Sequence, residues 1–150
     1  MRAVIQRVSE SSVKVNNEII SSISHGLLIL LGITHEDEEI DADYLIQKIG
    51  QMRLFSNSEM NMDLSVIDVK GEVLVVSQFT LHASTKKGNR PSFIHSAKPE
   101  KAKPLYDYFI DKLSQKIGKG VKSGSFGTMM EVFLINNGPV TILIDSKNKN

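Results

Sequence analysis

Residues 71–81 read Gly71-Glu72-Val73-Leu74-Val75-Val76-Ser77-Gln78-Phe79-Thr80-Leu81. The run Val73 to Val76 is apolar on both faces of a strand, which places that strand in the middle of a sheet rather than at its edge. It then turns polar at Ser77, Gln78 and Thr80 with no Gly or Pro to end it. Side chains alternate along a strand, so Gln78 and Thr80 are expected on one face, with Ser77, Phe79 and Leu81 on the other. A buried strand that ends in an amide and a hydroxyl on one face offers a polar site at the core boundary. The plainer alternative is that these groups only face water where the strand leaves the core.

Upstream, residues 1–8 alternate, with Ala3, Ile5 and Arg7 on one face and Val4, Gln6 and Val8 on the other. Together with Ser12-Val13-Lys14-Val15, Asn16-Asn17 and Glu18-Ile19-Ile20 this reads as a first strand followed by a hairpin, the Asn pair tolerating the positive φ of the turn. Gly26 to Gly32 brackets a continuous apolar run and predicts another fully buried strand. The acidic segment Glu36-Asp37-Glu38-Glu39 lacks the alternating oxygen ligands and turn glycine of a calcium loop and reads as a solvated helix start. Ile40, Tyr44, Leu45, Ile49 and Met52 then fall at helical spacing, with acids early and Lys48 and Arg53 late, as the helix dipole prefers. Residues 56–63 read as a surface loop.

Downstream of the organising strand, residues 84–96 form a long polar connection. A second helix is carried by Leu105, Phe109, Leu113 and Ile117, with Pro99 or Pro104 near its start and Gly118 to Gly120 at its end. Two final strands, 131–135 and 140–144, flank Asn137-Gly138-Pro139, and residues 147–150 form a polar tail. The order strands, helix, strand, helix, strands, with no repeat and no linker, predicts a single α/β (α+β) domain. Its two packed sheets should carry both helices on one outer face.

Composition narrows the function classes. The 150 residues include no Cys, which removes disulfides, thiolate catalysis and Cys-ligated zinc. A formal net charge of +1 argues against a surface that coats nucleic acid broadly, so an RNA partner would be held by one end or a local patch. The longest apolar run, Leu27 to Leu31, is too short to span a bilayer, and no signal-peptide core opens the chain; a cytosolic (cytoplasmic) protein is expected. No Gly-x-Gly-x-x-Gly or P-loop pattern occurs, so no nucleotide cofactor is implied. His25, His35 and His95 show no ligand-like spacing and read as surface or structural groups, with no metal implied.

Four words of sequence occur in order: Met1-Arg2-Ala3-Val4-Ile5-Gln6-Arg7-Val8, Ser77-Gln78-Phe79-Thr80-Leu81, Gly88-Asn89-Arg90-Pro91-Ser92-Phe93 and Asn137-Gly138-Pro139-Val140-Thr141. As an ordered set from Met1 to Ile144 they closely resemble the D-aminoacyl-tRNA deacylases, also called D-tyrosyl-tRNA deacylases. The resemblance implies a three-layer β/β/α fold, a homodimer, no cofactor, and hydrolysis of the ester joining a D-amino acid to the 3′ end of tRNA. It implies catalytic positions at Ser77, Gln78, Phe79 and Thr80, and a Gly138-cisPro139 element that reaches into the partner subunit's pocket. Rigid backbone oxygens there would fix the substrate amino group and leave no room for an L side chain, so glycine mischarged on tRNA(Ala) should pass. Phe126, Gly127 and Met130 match the family's pocket segment, whereas Thr128-Met129 stands where the family usually has Ala-Asp. Without the family, Phe126 and Met130 read equally well as core.

Two mechanisms remain open at this point. Thr80 could attack as a nucleophile, but a hydroxyl needs a base, and His82 lies roughly 6–7 Å along the same strand face. The family motif ends at Leu81 and gives His82 no role. Alternatively, the neighbouring ribose hydroxyl helps deliver water while the backbone N–H groups of Phe79 and Thr80 stabilise the oxyanion and Gln78 orders the site. We favour the second, although the sequence itself does not separate the two. Lys86, Lys87 and Arg90 could meet acceptor-end phosphates or be a solvated loop. Two rival functions stay in view, a non-catalytic RNA-binding module and a general esterase with a Thr80 nucleophile.

Overall fold

A computed structural model describes residues 1–149. The elements follow as β1 (Arg2–Val15), β2 (Glu18–Ile23), β3 (Gly26–Gly32), α1 (Glu39–Gln51), β4 (Phe55–Ser56), β5 (Met62–Leu64), β6 (Glu72–Ser77), α2 (Pro99–Ile117), β7 (Lys122–Ser123) and β8 (Glu131–Asp145). A 3₁₀ turn spans Phe79–His82.

The two apolar runs lie side by side, as their two-faced hydrophobicity requires. β3 pairs in parallel with β6 and antiparallel with the first half of β1. The second half of β1 pairs with β2, and β8 runs antiparallel along the opposite edge of β1. Asn16 and Asn17 turn the β1–β2 hairpin at φ 50° and 63°, as their residue type predicts. Gly26 lies so close to β6 that a Cβ there would sit 1.8 Å from the Glu72 carbonyl oxygen, so only glycine lets β3 and β6 meet.

Alternate residues of these strands enter different cores. Ala3, Ile5, Leu27, Ile29, Leu31, Val73 and Val75 pack against Leu45 and Ile49 of α1 and Leu105, Phe109 and Leu113 of α2. On the other face Leu28, Leu74 and Val76 meet Val8, Val13 and Ile23, with Val132 and Leu134 of β8 closing that cluster. The result is the expected β/β/α layering with both helices on one face. Both β layers come from one curled six-stranded sheet. The curl brings β7 back towards β2, where Ser21 Oγ donates to the Ser123 carbonyl (2.9 Å) and Lys122 Nζ to the Ser22 carbonyl (2.8 Å).

Several local expectations are corrected. The acidic segment before α1 is not wholly solvated: Asp37 is fully buried, accepting from the Met1 amine at 2.6 Å and the Thr34 N–H at 2.7 Å. Ile40 is 76% exposed, because the buried stripe of α1 runs through Ala42, Leu45, Ile46 and Ile49 and leaves Ile40 off that face. Residues 56–63 carry the small β4–β5 ribbon rather than plain loop. Pro99 is the first residue of α2, Pro104 lies inside it, and Gly118 closes it at φ 73°. Of the polar tail, Lys147 is tied by its Nζ to Asp41 at 3.0 Å, and Asn150 lies outside the described residues. The two expected C-terminal strands are one strand, β8, because both halves pair with β1; residues 137–140 have no partner on β1 and bulge out of the ladder.

Candidate active site

The parallel ladder ends where Gln78 donates its N–H to the Leu31 carbonyl (2.8 Å). The chain then does not continue as a strand. Leu81 N–H turns back to the Gln78 carbonyl and Ala83 N–H to the Thr80 carbonyl, and these i→i+3 bonds form the 3₁₀ turn. Strand alternation through Leu81 is therefore overturned, yet Gln78 and Thr80 still meet: Gln78 Nε2 donates to Thr80 Oγ1 at 2.5 Å. Ser96 Oγ donates to the Phe79 carbonyl (2.8 Å) and pins the turn to the segment before α2. Among the described residues no hydrogen bond uses the backbone N–H of Phe79 or Thr80.

Beside this turn lies a cleft of ≈ 380 Å³, the scale of a small-molecule site, whose wall includes Leu31, Ser77, Gln78, Phe79, Phe93 and Phe126. Phe79 and Phe93 meet edge to face at 5.1 Å, and Phe126 leans on Tyr106 at 5.4 Å. Tyr106 is anchored by donating its hydroxyl to the Val75 carbonyl at 3.0 Å, and burial pushes its phenol pKa up. Gly127 also lines the cleft. The structure thus gathers Ser77, Gln78, Phe79, Phe126 and Gly127, with exposed Thr80 on the adjoining turn. Met130 is not among the lining residues; its side chain packs against the cluster between the β layers. Arg90 lies exposed in the loop that Ser84 and Ser92 close.

Gly138 and Pro139 lie elsewhere in the protomer. The Gly138–Pro139 peptide bond is cis and Gly138 has φ 127°. The bulge is held by Arg7, whose Nε donates to the Asn137 carbonyl (3.1 Å) and Nη1 to the Leu54 carbonyl (2.6 Å). Arg7 pairs with Leu27 in the register of β1 and β3, whereas Leu31 lines the cleft. Along β3 that separates the two by about 13 Å. Sequence reasoning assigned Arg7 only a strand face; its inward-facing position beside apolar Ala3 and Ile5 was the available signal.

No hydrogen bond joins Thr80 to His82. His82 is 7% exposed, its ring lies against Gly32, and its Nε2 has no partner among the described residues. Burial, the largest cause, lowers its pKa from the ordinary 6.5, with the Met1 amine and Arg2 acting in the same sense and the Gly32 backbone and Asp37 opposing.

The chain is similar to known proteins over nearly its whole length. A family model described as D-Tyr-tRNA(Tyr) deacylase matches residues 4–145. The chain is 58% identical over 149 residues to a D-aminoacyl-tRNA deacylase of Christiangramia forsetii and 56% identical to one of Cytophaga hutchinsonii, in each case over 99% of both chains. Among solved structures it superposes on a c-Myc DNA unwinding element binding protein with a TM-score of 0.90 and 38% identity, covering 97% of this chain and 98% of that one. A probable eukaryotic D-amino acid tRNA deacylase shares the fold at TM-score 0.81 and 16% identity, over 95% of this chain and 97% of the other. With the family model spanning nearly the whole chain and relatives this similar over their full length, the protein belongs to the D-aminoacyl-tRNA deacylase family.

Proposed function

We propose that the protein hydrolyses the ester of D-aminoacyl-tRNA, releasing free D-amino acid and tRNA, as a chiral proofreading step in translation. The observation that carries this reading is the juxtaposition at one turn of two uncommitted backbone N–H groups, Phe79 and Thr80, with an aromatic-walled cleft. The cleft is of a size to hold the aminoacylated terminal nucleoside. The N–H groups face the developing oxyanion, and such preorganised donors supply a large part of the stabilisation in acyl transfer.

Water is the nucleophile, delivered with help from the ribose hydroxyl next to the ester. Gln78 fixes the Thr80 hydroxyl, and an amide that donates to that oxygen cannot also take its proton, which disfavours Thr80 as the attacking group. The ester C–O bond breaks, the ribose oxygen leaves with a proton, and the acyl group takes up hydroxyl from water. No metal or organic cofactor takes part.

Chirality is enforced by the Gly138–Pro139 bulge of the partner subunit in a homodimer. Two features support that arrangement. Within one protomer the bulge and the cleft lie at different ends of β3, so a site needing both draws on two chains. β8 also presents an unpaired edge and the exposed side chains Phe133, Ile135 and Leu143. Exclusion rather than grip implies that many D-amino acids pass, and glycine on tRNA(Ala) as well. Among the described residues no helix is long and apolar enough to cross a membrane, and a tRNA substrate supports the reading of a cytoplasmic enzyme.

The test is amino-acid release from matched D- and L-aminoacyl-tRNA, with EDTA in a parallel reaction. Release from the D-form alone, unaffected by EDTA, is expected. Binding of tRNA without release would instead identify an RNA-binding module. Equal release from both enantiomers would identify a general esterase and remove the role given to Gly138–Pro139.

A further inference from the structure

A larger cleft, ≈ 580 Å³, lies across the Phe79–His82 turn from the aromatic one, and its wall includes Arg2, His35, His82, Lys86, His95 and Lys147. Three of the chain's four histidines and three of its cations therefore face one cavity. Two carboxylates, Glu36 and Asp145, share the wall. Asp145 is engaged by Arg2 Nε at 2.7 Å, and Arg2 Nη1 donates to the Leu81 carbonyl at 3.0 Å. A guanidinium has five N–H donors, so Arg2 is held in place by two and keeps others for a ligand. Lys147 is committed to Asp41, but Lys86 is exposed and forms no ion pair among the described residues. His35 Nε2 lies 3.0 Å from the Ile94 carbonyl, which can only accept, so that nitrogen is a donor and the ring is oriented. His82, buried in the same wall, has an unpartnered Nε2.

The chemistry of this set suits an anion with several oxygens. It does not suit a metal ion, since among the described residues no three ligating groups converge. Resting on the deacylase reading above, we propose that this cleft is a phosphodiester subsite. It receives the backbone phosphate next to the aminoacylated ribose, through Lys86 and His95 with Arg2 behind them. The turn sets the spacing. Phe79 lines one cavity and His82 the other, and three residues of 3₁₀ helix advance about 6 Å. A ribose ester at Thr80 and the phosphate of the same strand can then occupy both clefts at once. The subsite also accounts for a near-neutral protein that handles a polyanion: a few cations at one cavity engage the strand end, and the rest of the surface need not be basic.

The experiment compares D-aminoacyl-tRNA with its minimal analogue, D-aminoacyl-adenosine, which carries the ester but no phosphate. The proteins are the wild type, Lys86→Ala/His95→Gln, and Lys14→Ala as a charge-matched control. The ratio of KM for the tRNA to KM for the adenosine ester should rise about tenfold in the double variant, with kcat on tRNA little changed. The slope of log kcat/KM against log salt on tRNA should become shallower by roughly 0.7 for each phosphate that is no longer neutralised. Lys14→Ala should leave both readings unchanged. An unchanged ratio, equal losses on both substrates, or the same shift in Lys14→Ala would overturn the subsite. If the wild type cleaves neither substrate, the deacylase reading fails by itself. The subsite is then read from binding of the trinucleotide CCA against adenosine: loss of the CCA preference in the double variant supports it, and an unchanged preference overturns it.

Discussion

At Thr80 a single hydrogen bond separates two chemistries. Gln78 Nε2 donates to its hydroxyl and no base stands on its other side, so the hydroxyl is held rather than activated. Thr80→Ala should keep kcat within about tenfold of wild type under single turnover, because the backbone N–H survives the substitution. A loss of several orders of magnitude would make the hydroxyl the nucleophile. His82 carries a different prediction. Its ring is buried beneath the turn, so His82→Ala should cost about 1–3 kcal/mol of stability. Its folded-state pKa lies below 6.5, so the unfolded chain binds a proton that the folded one refuses. The stability this provides is complete above pH 6.5 and is lost as pH falls from there towards the depressed folded value. Thermal midpoints of the wild type should decline across that window, and those of His82→Gln should decline less; parallel curves would mean that His82 is not the titrating group.

At the scale of elements, the apolar runs of β3 and β6 and the 3.6-residue stripe of α2 were legible because each is dictated by its own side chains. The 3₁₀ turn was not, because nothing in Ser77-Gln78-Phe79-Thr80-Leu81 forbids a strand; it forms where the β3 ladder runs out of partners at Leu31. The continuity of β8 was hidden for a similar reason. Asn137-Gly138-Pro139 looks like a hairpin turn, and only the length of β1, set by pairing far away in sequence, makes it a bulge. Ser77, Gln78 and Phe79, which wall the cleft, stand together in one family word, whereas the hold that Arg7 keeps on the bulge could not be read from its own word, since it depends on carbonyls of Leu54 and Asn137 that no local pattern brings together. Gly138→Ala tests this element directly. At φ 127° a side chain is strained, and its Cβ would stand 2.9 Å from both Arg7 Nη2 and Val140 Cγ2. The variant should lose about 1–3 kcal/mol in denaturant titration and release more amino acid from L-aminoacyl-tRNA. Unchanged selectivity in a folded variant would remove the bulge from chiral discrimination.

The whole molecule poses a problem of completeness, since one protomer holds the aromatic cleft and the Gly138–Pro139 bulge, the proposed chirality element, apart. A two-fold dimer solves it only if the bulge of each chain enters the cleft of the other, and the exposed apolar groups of β8 offer a surface on which to pair. Leu143, 64% exposed opposite Val4, should become a barrier to pairing when changed to Glu, yielding a monomer in sedimentation with little activity. A fully active, D-selective monomer would refute the shared site. Mixed dimers provide the sharper measurement. Thr80→Pro removes the backbone donor from the cleft of one chain, and deletion of Gly138 and Pro139 removes from another the bulge oxygens that would fix the substrate amino group, so each homodimer alone should be inactive. If each site draws on two chains, a mixed dimer contains one site that is wild type in both halves. Random mixing makes half of the dimers mixed, so activity should recover to about a quarter of the wild-type value. If each site were built from one chain, every site in the mixture would carry one defect or the other, and mixing would restore nothing.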